Sequence, residues 1–407
     1  MERSEATPPA ASLPLPLKAL LHAGFVLTGV VNTLLGPILP ALSAKWSLTD
    51  SQAGWLFTAQ FAGSMLGVLL SSRFVVRWGS RVSLVLGYGM MSAGVGSLGL
   101  GAWEMGLLSI FCSGIGFGVA IPTTNLLVAE ASPGRRAAVL SILNLAWGGG
   151  AVAWPLLADL VQRTNNTRAF LIGLAGALGV VLLCFVPAFF AEASSGNRPP
   201  PAEHLFGPRG HVWSSRFVMI LGTLFFLYVG TETALGGWVA SYAQRISPIP
   251  GTAWVITPSF FWGALLLGRA LAPAILRRVS EGVLAVTGLL LAALGIAGLL
   301  VATTRAGLIA GIGLAGLGLA SVFPITVALL FSSLGASASR LAGPMFALGG
   351  LGGATLPWLV GFSSTYFGTL KAGLVVPLLA SLTMAALHLV GSRSSNANPL
   401  LSWQSKI

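Results

Sequence analysis

Twelve apolar stretches, each long enough to cross a bilayer, take up most of this 407-residue chain. They run over residues 18–42, 51–73, 82–102, 105–129, 137–159, 169–190, 216–243, 253–276, 282–303, 306–331, 341–363 and 369–391, bounded by charges, Pro-Gly pairs and tryptophans. A helix needs about 20 apolar residues to span the hydrocarbon core, so the pattern predicts an all-α, multi-pass membrane protein. Composition agrees. Charged residues make up 8% of the chain, against about 25% in soluble domains, and the mean hydropathy is +0.86. The charge is too sparse to cover a water-soluble surface, and the hydrophobicity is too high for disorder.

The few charges are unevenly placed. With the N-terminus in the cytoplasm, 15 Lys and Arg fall on cytoplasmic segments, 6 on outer loops and one, Arg269, within a span. Lys and Arg favour the cytoplasmic side of short loops, which orients the chain with both termini inside and an even number of spans. The formal charge of +12 is thus mainly an orientation signal, and no nucleic-acid partner is expected. The two cysteines, Cys112 and Cys184, lie within apolar stretches, and the four histidines are scattered. Neither set has a disulfide or metal-ligand spacing. No phosphate-binding loop and no nucleophile–base–acid set is visible, so neither a cofactor nor an enzymatic activity is expected.

The longest non-apolar stretch follows the sixth span. Residues 191–215 contain SSGNRPPPAEH, a Pro/Gly/Ser-rich composition that reads as a linker. It divides the chain into a tail (1–17), a first bundle (18–190), a second bundle (216–391) and a second tail (392–407). The halves match at a near-constant offset: Gly36 with Gly237 at 201, Gly63 with Gly263 and Arg77 with Arg277 at 200, Pro122 with Pro324 and Pro155 with Pro357 at 202. Transporters built from paired repeats place their sites near the midplane, between the repeats.

With the repeat established, short motifs carry a resemblance. RFVVRWGSRVSL, from Arg73 to Leu84, is similar to the basic loop of the major facilitator superfamily, with Arg77, Gly79 and Arg81 in register and Val76 in place of the usual acid. GFGVAIPTTN and LNLAWGGGAVAWP, within Gly116–Pro155, and YVGTETALGGW, from Tyr228 to Trp238, resemble its fucose/glucose-permease-like branch. The resemblance implies twelve transmembrane helices in two pseudo-symmetric six-helix bundles around one central cavity. It also implies gating roles for Arg77, Arg81 and the repeat-equivalent Arg277, and sugar–proton symport.

Only two charges lie deep in spans, Glu232 and Arg269. Ionisable residues at membrane depth are costly and usually functional. Glu232 is 16 residues beyond Arg216, or roughly 24 Å along a helix. It reads as a proton-coupling or hydroxyl-binding carboxylate, the alternative being a tie to a neighbouring span. Arg269 is eight residues before Arg277, or roughly 12 Å from the same side. On this count the two do not form a salt bridge, and Arg269 is expected to be a gate residue bonded to carbonyls, or to bind an anionic substrate.

A band of polar residues occupies similar depths. Thr28 and Asn32 are one turn apart; Gln60, Asn125 and Asn144 lie on three further spans; Trp147, Trp238 and Trp262 supply rings. Amides match sugar hydroxyls as donors and acceptors, and indoles stack on the apolar face of a sugar. The competing roles are interhelical hydrogen bonds for the amides, packing for Trp147 and Trp262, and interfacial anchoring for Trp238. The expected function is secondary active transport of a small polar solute, above all a sugar, with a proton as coupling ion and sodium left open. The expected setting is the lipid of a bacterial inner membrane, with the chain acting as a monomer. Alternatives are a proton-antiporting exporter of hydrophobic or cationic compounds and a non-transporting membrane sensor.

Overall fold

The computed structural model describes residues 14–132, 135–164, 166–195, 216–246, 253–334 and 338–397. Most of the two expected tails and of the linker lies outside these residues, with Arg3, Arg198, Arg209 and Lys406. Among the described residues the first half comprises α1 (Leu15–Thr33), α2 (Leu35–Trp46), α3 (Asp50–Trp78), α4 (Ser80–Ser97), α5 (Trp103–Glu130), α6 (Arg136–Arg163) and α7 (Thr167–Ser195). The second comprises α8 (Arg216–Ile246), α9 (Thr257–Ile275) after a 3₁₀ turn over Ala253–Ile256, α10 (Glu281–Val301), α11 (Arg305–Leu319), α12 (Val322–Leu334), α13 (Ala338–Phe367) and α14 (Leu370–Ala397).

These fourteen helices make twelve crossings, because α1 with α2 and α11 with α12 each form one broken span. Eleven crossings are long and apolar enough to span a bilayer by length and composition. The twelfth, α4, has 18 residues, many small or polar, and runs about 27 Å between α5 and α7.

Spans one and ten, expected to be continuous, break at Leu34 and at Ala320–Ser321. In both, a proline (Pro37, Pro324) sits in the first turn of the following helix. A proline ring clashes with the carbonyl four residues back and offers no N–H to it. The first break is held from two sides. Gln60 of α3 donates its Nε2 hydrogens to the carbonyls of Val31 and Asn32, each at 3.2 Å. Trp154 of α6, fully buried, donates Nε1–H to the carbonyl of Leu34 at 3.2 Å. Pro122, the repeat-equivalent of Pro324, stays inside an unbroken α5.

The two halves use one packing scheme. In the first, α1 packs on α6, α3 and α4 on α5, and α4 on α7. In the second, α8 packs on α13, α9 and α10 on α11, and α10 on α14. Lipid tails are as apolar as leucine, so these contacts depend on close approach rather than on the hydrophobic effect. Gly63 and Gly67 of α3 lie against the α5 carbonyls of Phe111 and Ile115, and Gly114 and Gly118 of α5 against those of Gln60 and Ser64. A Cβ at any of the four would strike backbone.

Alternation of the crossings puts Arg73, Arg77, Arg81, Arg135, Arg136, Arg277 and Arg278 on one face, termed the arginine-rich face. Contacts between the halves lie toward the opposite face: α3 with α13, α6 with α9, and α2 with α8. Thr58 donates Oγ–H to the Ala354 carbonyl and Ser259 to that of Val152, both at 2.7 Å. At the centre, a Cβ on Gly36 would lie 2.5 Å from the Gly236 carbonyl oxygen. The tryptophans near the span ends divide: Trp55 and Trp78 are exposed, but Trp254 is buried in the 3₁₀ turn.

Candidate functional site

Two layers of polar structure lie between the halves. The layer nearer the middle is a small pocket of about 20 Å³ lined by Asn32, Thr33, Phe57, Thr233 and Trp262, with Gly36, Gly236 and Gly237 forming its backbone wall. A water needs about 10–15 Å³, so the pocket has room for about one water and is far too small for a drug-sized solute, whose sites span about 300–1,000 Å³. Trp262 meets Trp147 of the other half edge to face, with centroids 5.8 Å apart. The break in the first span places Asn32 here, since Gln60 holds its carbonyl.

The second layer is an ion pair. Arg269 Nη2 donates to Glu232 Oε1 at 2.8 Å and to the Tyr228 hydroxyl at 3.2 Å, and Tyr228 donates to the same Oε1 at 3.1 Å. Tyr228 and Glu232 are one turn apart on α8 and so share a face. This pairing corrects the expected separation. That depth was counted from the arginine-rich face, where α8 extends 16 residues beyond Glu232 but α9 ends six residues after Arg269. Counted from the other ends, Glu232 is 14 residues from Ile246 and Arg269 is 12 from Thr257, a difference of about 3 Å. Arg269 is therefore bonded to a carboxylate and a phenol, not to carbonyls.

Several polar atoms around this region are buried without a partner among the described residues. They include Asn125 Oδ1, Thr231 Oγ1, Trp262 Nε1 and Arg269 Nε. Buried polar groups are nearly always hydrogen-bonded, so each of these atoms leaves a bond unmade in this state.

The structure brings together Asn32, Gln60, Trp147 and Trp262, with Glu232 adjacent in sequence to the pocket residue Thr233. Gln60 spends its amide hydrogens on the helix break. The other expected site residues stand apart. Thr28 is fully buried and donates to the Phe25 carbonyl of its own helix at 2.7 Å. Asn144 is exposed and donates to the Leu140 carbonyl at 2.9 Å. Trp238, expected to anchor at the membrane interface, is instead wholly buried and donates to the Pro357 carbonyl at 2.9 Å. It sits where α8 meets α13 of the same half and Phe57 of the other. Arg77, Arg81 and Arg277 lie on the arginine-rich face, and none enters an ion pair among the described residues. Arg77 lies over the Trp78 ring at 5.5 Å.

Sequence reasoning missed a third cluster, at the opposite face. Asp50, at the first turn of α3, accepts from Nη1 and Nη2 of Arg245 on α8, each at 2.6 Å. Ser364 of α13 donates to the same carboxylate, and the Ser51 N–H donates to Thr365 Oγ1 at 2.9 Å. This clamp joins the halves. Its sequence signal was the scarcity of acids: Asp50 is one of ten, and it falls at the same face as Arg245.

Comparison with known proteins places these features. The family described as the Major Facilitator Superfamily matches residues 21–357. The chain is 24% identical over 356 residues to the glucose/mannose transporter GlcP of Bacillus subtilis (strain 168), covering 84% of this chain and 86% of that one. It is 21% identical over 387 residues to a glucose/galactose transporter of Brucella abortus biovar 1 (strain 9-941), covering 91% and 92%. Among solved structures, that of a D-xylose-proton symporter superposes with a TM-score of 0.72 at 15% identity, covering 90% of this chain and 96% of that one.

Proposed function

The chain belongs to the Major Facilitator Superfamily, and on that premise we propose that it is a secondary active transporter of a sugar or similar polyol, driven by protons through alternating access. The observation that carries this is the Glu232–Arg269–Tyr228 cluster on α8 and α9, with Glu232 next in sequence to Thr233 of a pocket contributed by both halves. Asn32, Asn125, Trp147 and Trp262 are the solute contacts of choice, since amides suit hydroxyls and the free Asn125 and Trp262 polar atoms await partners. Thr28 and Trp238 serve packing in this state, and Gln60 shapes the site by holding the break. Glu232 exchanges the coupling proton when Arg269 releases it. The names of the relatives, transporters of glucose with mannose or galactose, support the solute class.

An asymmetry of closure supports the alternating-access part of this reading. The Asp50–Arg245–Ser364 clamp shuts the end opposite the arginine-rich face, and the reverse state requires it to open. Lys and Arg bias assigns the arginine-rich face to the cytoplasm of a cell membrane, with both termini there, and the chain acts as a monomer. Arg77, Arg81 and Arg277 then stand at the cytoplasmic gate.

A cation exporter is the second reading. It is favoured by a shallow, open apolar depression between α3 and α13, lined by Met65, Pro344, Ala347, Leu348 and Leu351. Against it, Arg269 already neutralises Glu232, so no free carboxylate at depth remains to attract a cation. Counterflow of radiolabelled glucose into proteoliposomes, with and without a pH gradient, tests the first reading. Efflux of a cationic dye without glucose counterflow replaces it with the second.

A further inference from the structure

The two inter-helix ion pairs among the described residues are built differently. Arg245 gives Asp50 two arms at 2.6 Å, and Ser364 adds a third donor to the same carboxylate. Arg269 gives Glu232 one arm only, from Nη2. Its Nε–H is buried and donates to nothing among the described residues, and Nη1 makes no hydrogen bond to a described residue. Planar guanidinium groups favour acceptors with two oxygens, taken by two parallel N–H bonds. The Nε and Nη2 hydrogens form one such edge, and half of it is vacant.

The position of Arg269 is that of a mouth rather than a core. A Cβ on Gly148 of α6 would lie 2.8 Å from Leu266 of α9. This contact of the two halves lies one turn from Arg269 on α9 and one turn from Asn144 on α6. The facing helices run antiparallel, so Asn144 and Arg269 stand at one level, on the arginine-rich side of the contact. The Arg269 side chain is 27% exposed while its Nε is buried, so a solute gains that atom only as Glu232 gives way.

We infer that the solute carries a carboxylate, as a sugar acid does, and that this carboxylate displaces Glu232 from Arg269. The inference rests on the transporter reading above and narrows its substrate class. A carboxylate needs Nη2 as well as Nε to make two parallel bonds, so it binds at the expense of Glu232. A neutral hydroxyl accepts from Nε alone and leaves Glu232 in place. Displaced, Glu232 has lost its cation. Tyr228 on its own helix is neutral and cannot replace it. The neighbouring α2, α12, α13 and α14 bring no acidic side chain. α11, which also meets α8, brings none either. Of the cations on these helices, Lys45, Arg305 and Lys371 stand with Arg245 toward the opposite face, Arg340 and Arg393 belong to the arginine-rich ends of α13 and α14, and His388 of α14 has Nε2 without a partner among the described residues. Glu232 therefore takes up one proton for each solute anion bound. The site starts neutral and ends neutral, so solute and proton cross together with no net charge moved.

The test is counterflow and uptake of radiolabelled glucuronate and glucose by the full-length protein in proteoliposomes. Expected are glucuronate exchange, competition by glucose roughly tenfold weaker or more, and uptake driven by a pH gradient but indifferent to membrane potential. In the Glu232→Gln variant, glucuronate exchange should persist, and net uptake should become sensitive to potential because an anion now crosses without its proton. Exchange of glucose with no exchange or competition by glucuronate overturns the inference and leaves the transporter reading standing. Exchange of neither sugar overturns both. If the variant unfolds, the thermal midpoint of the wild type decides. A rise with glucuronate exceeding that with glucose supports the inference, and the reverse order refutes it.

Discussion

Asp50 opens α3 in the first half of the chain and receives both guanidinium arms of Arg245, which closes α8 in the second. The pair is 195 residues apart in sequence and is the charged clamp at the shut end of the molecule. With Arg245 still 44% exposed, such a pair contributes about 1 kcal/mol. Asp50→Asn is expected to shift the balance toward the opposite opening by about fivefold. Alkylation of a cysteine placed at Phe57, in a background with Cys112 and Cys184 replaced by serine, reads the shift. Arg245→Gln should do the same, and the double variant should add little. An unchanged alkylation rate removes the clamp from the gating cycle.

Glu232→Gln is expected to reduce uptake driven by a pH gradient to the leak rate while solute exchange stays measurable, since exchange needs no net proton movement. Gradient-driven uptake at the wild-type level would remove Glu232 from coupling.

Gln60→Leu strips two hydrogen bonds from the break in the first span. Leaving the Val31 and Asn32 carbonyls underserved should cost about 1–3 kcal/mol, read as a lower thermal midpoint in detergent. The affinity for solute should fall with it, because Asn32 loses its fixed placement. A wild-type midpoint would mean that water replaces the amide.

Gly36→Val places branched carbon where the Gly236 carbonyl now stands. The shut arrangement cannot form around it, so exchange should stop while the protein still folds and migrates as a single species. Retained exchange would show that the halves separate here during transport more than this structure does.

Asn125→Ala removes a buried Oδ1 that has no partner among the described residues. Because no internal bond is lost, stability should hold, and solute affinity should weaken by roughly tenfold, the worth of about one hydrogen bond. A wild-type affinity in a calorimetric titration excludes Asn125 from the site.

The crossings and their pairing into halves were readable because the bilayer allows few solutions: about 20 apolar residues per helix and small residues where helices touch. Gly63, Gly263 and the shared Arg77/Arg277 offset expressed that constraint directly. The breaks were half legible. Pro37 and Pro324 stand in the sequence just after the breaks, yet Pro122, their like in sequence, leaves α5 unbroken, so proline alone does not decide. Neighbours such as Gln60 and Trp154, which donate to the loosened carbonyls of the first break, do. Depth along a helix proved the weakest inference. Arg269 and Glu232 were placed apart because both were measured from one face, and α8 overhangs α9 there. Arg245 was counted only as a marker of orientation, and nothing in a one-dimensional pattern says that the ends of two helices at one face will meet.

Gly36 and Gly237 are equivalent positions in the two repeats, and Gly36 rests on Gly236 and Gly237 themselves. Residues that touch their own counterparts lie where the symmetry relating the halves passes through the molecule. When two halves rock about such a line, points on it stay still and points far from it sweep widest. The glycine crossing is thus a fulcrum. It sets the halves near enough for a slight tilt to become, at the clamp on one end and the arginine loops on the other, the full width of a passage.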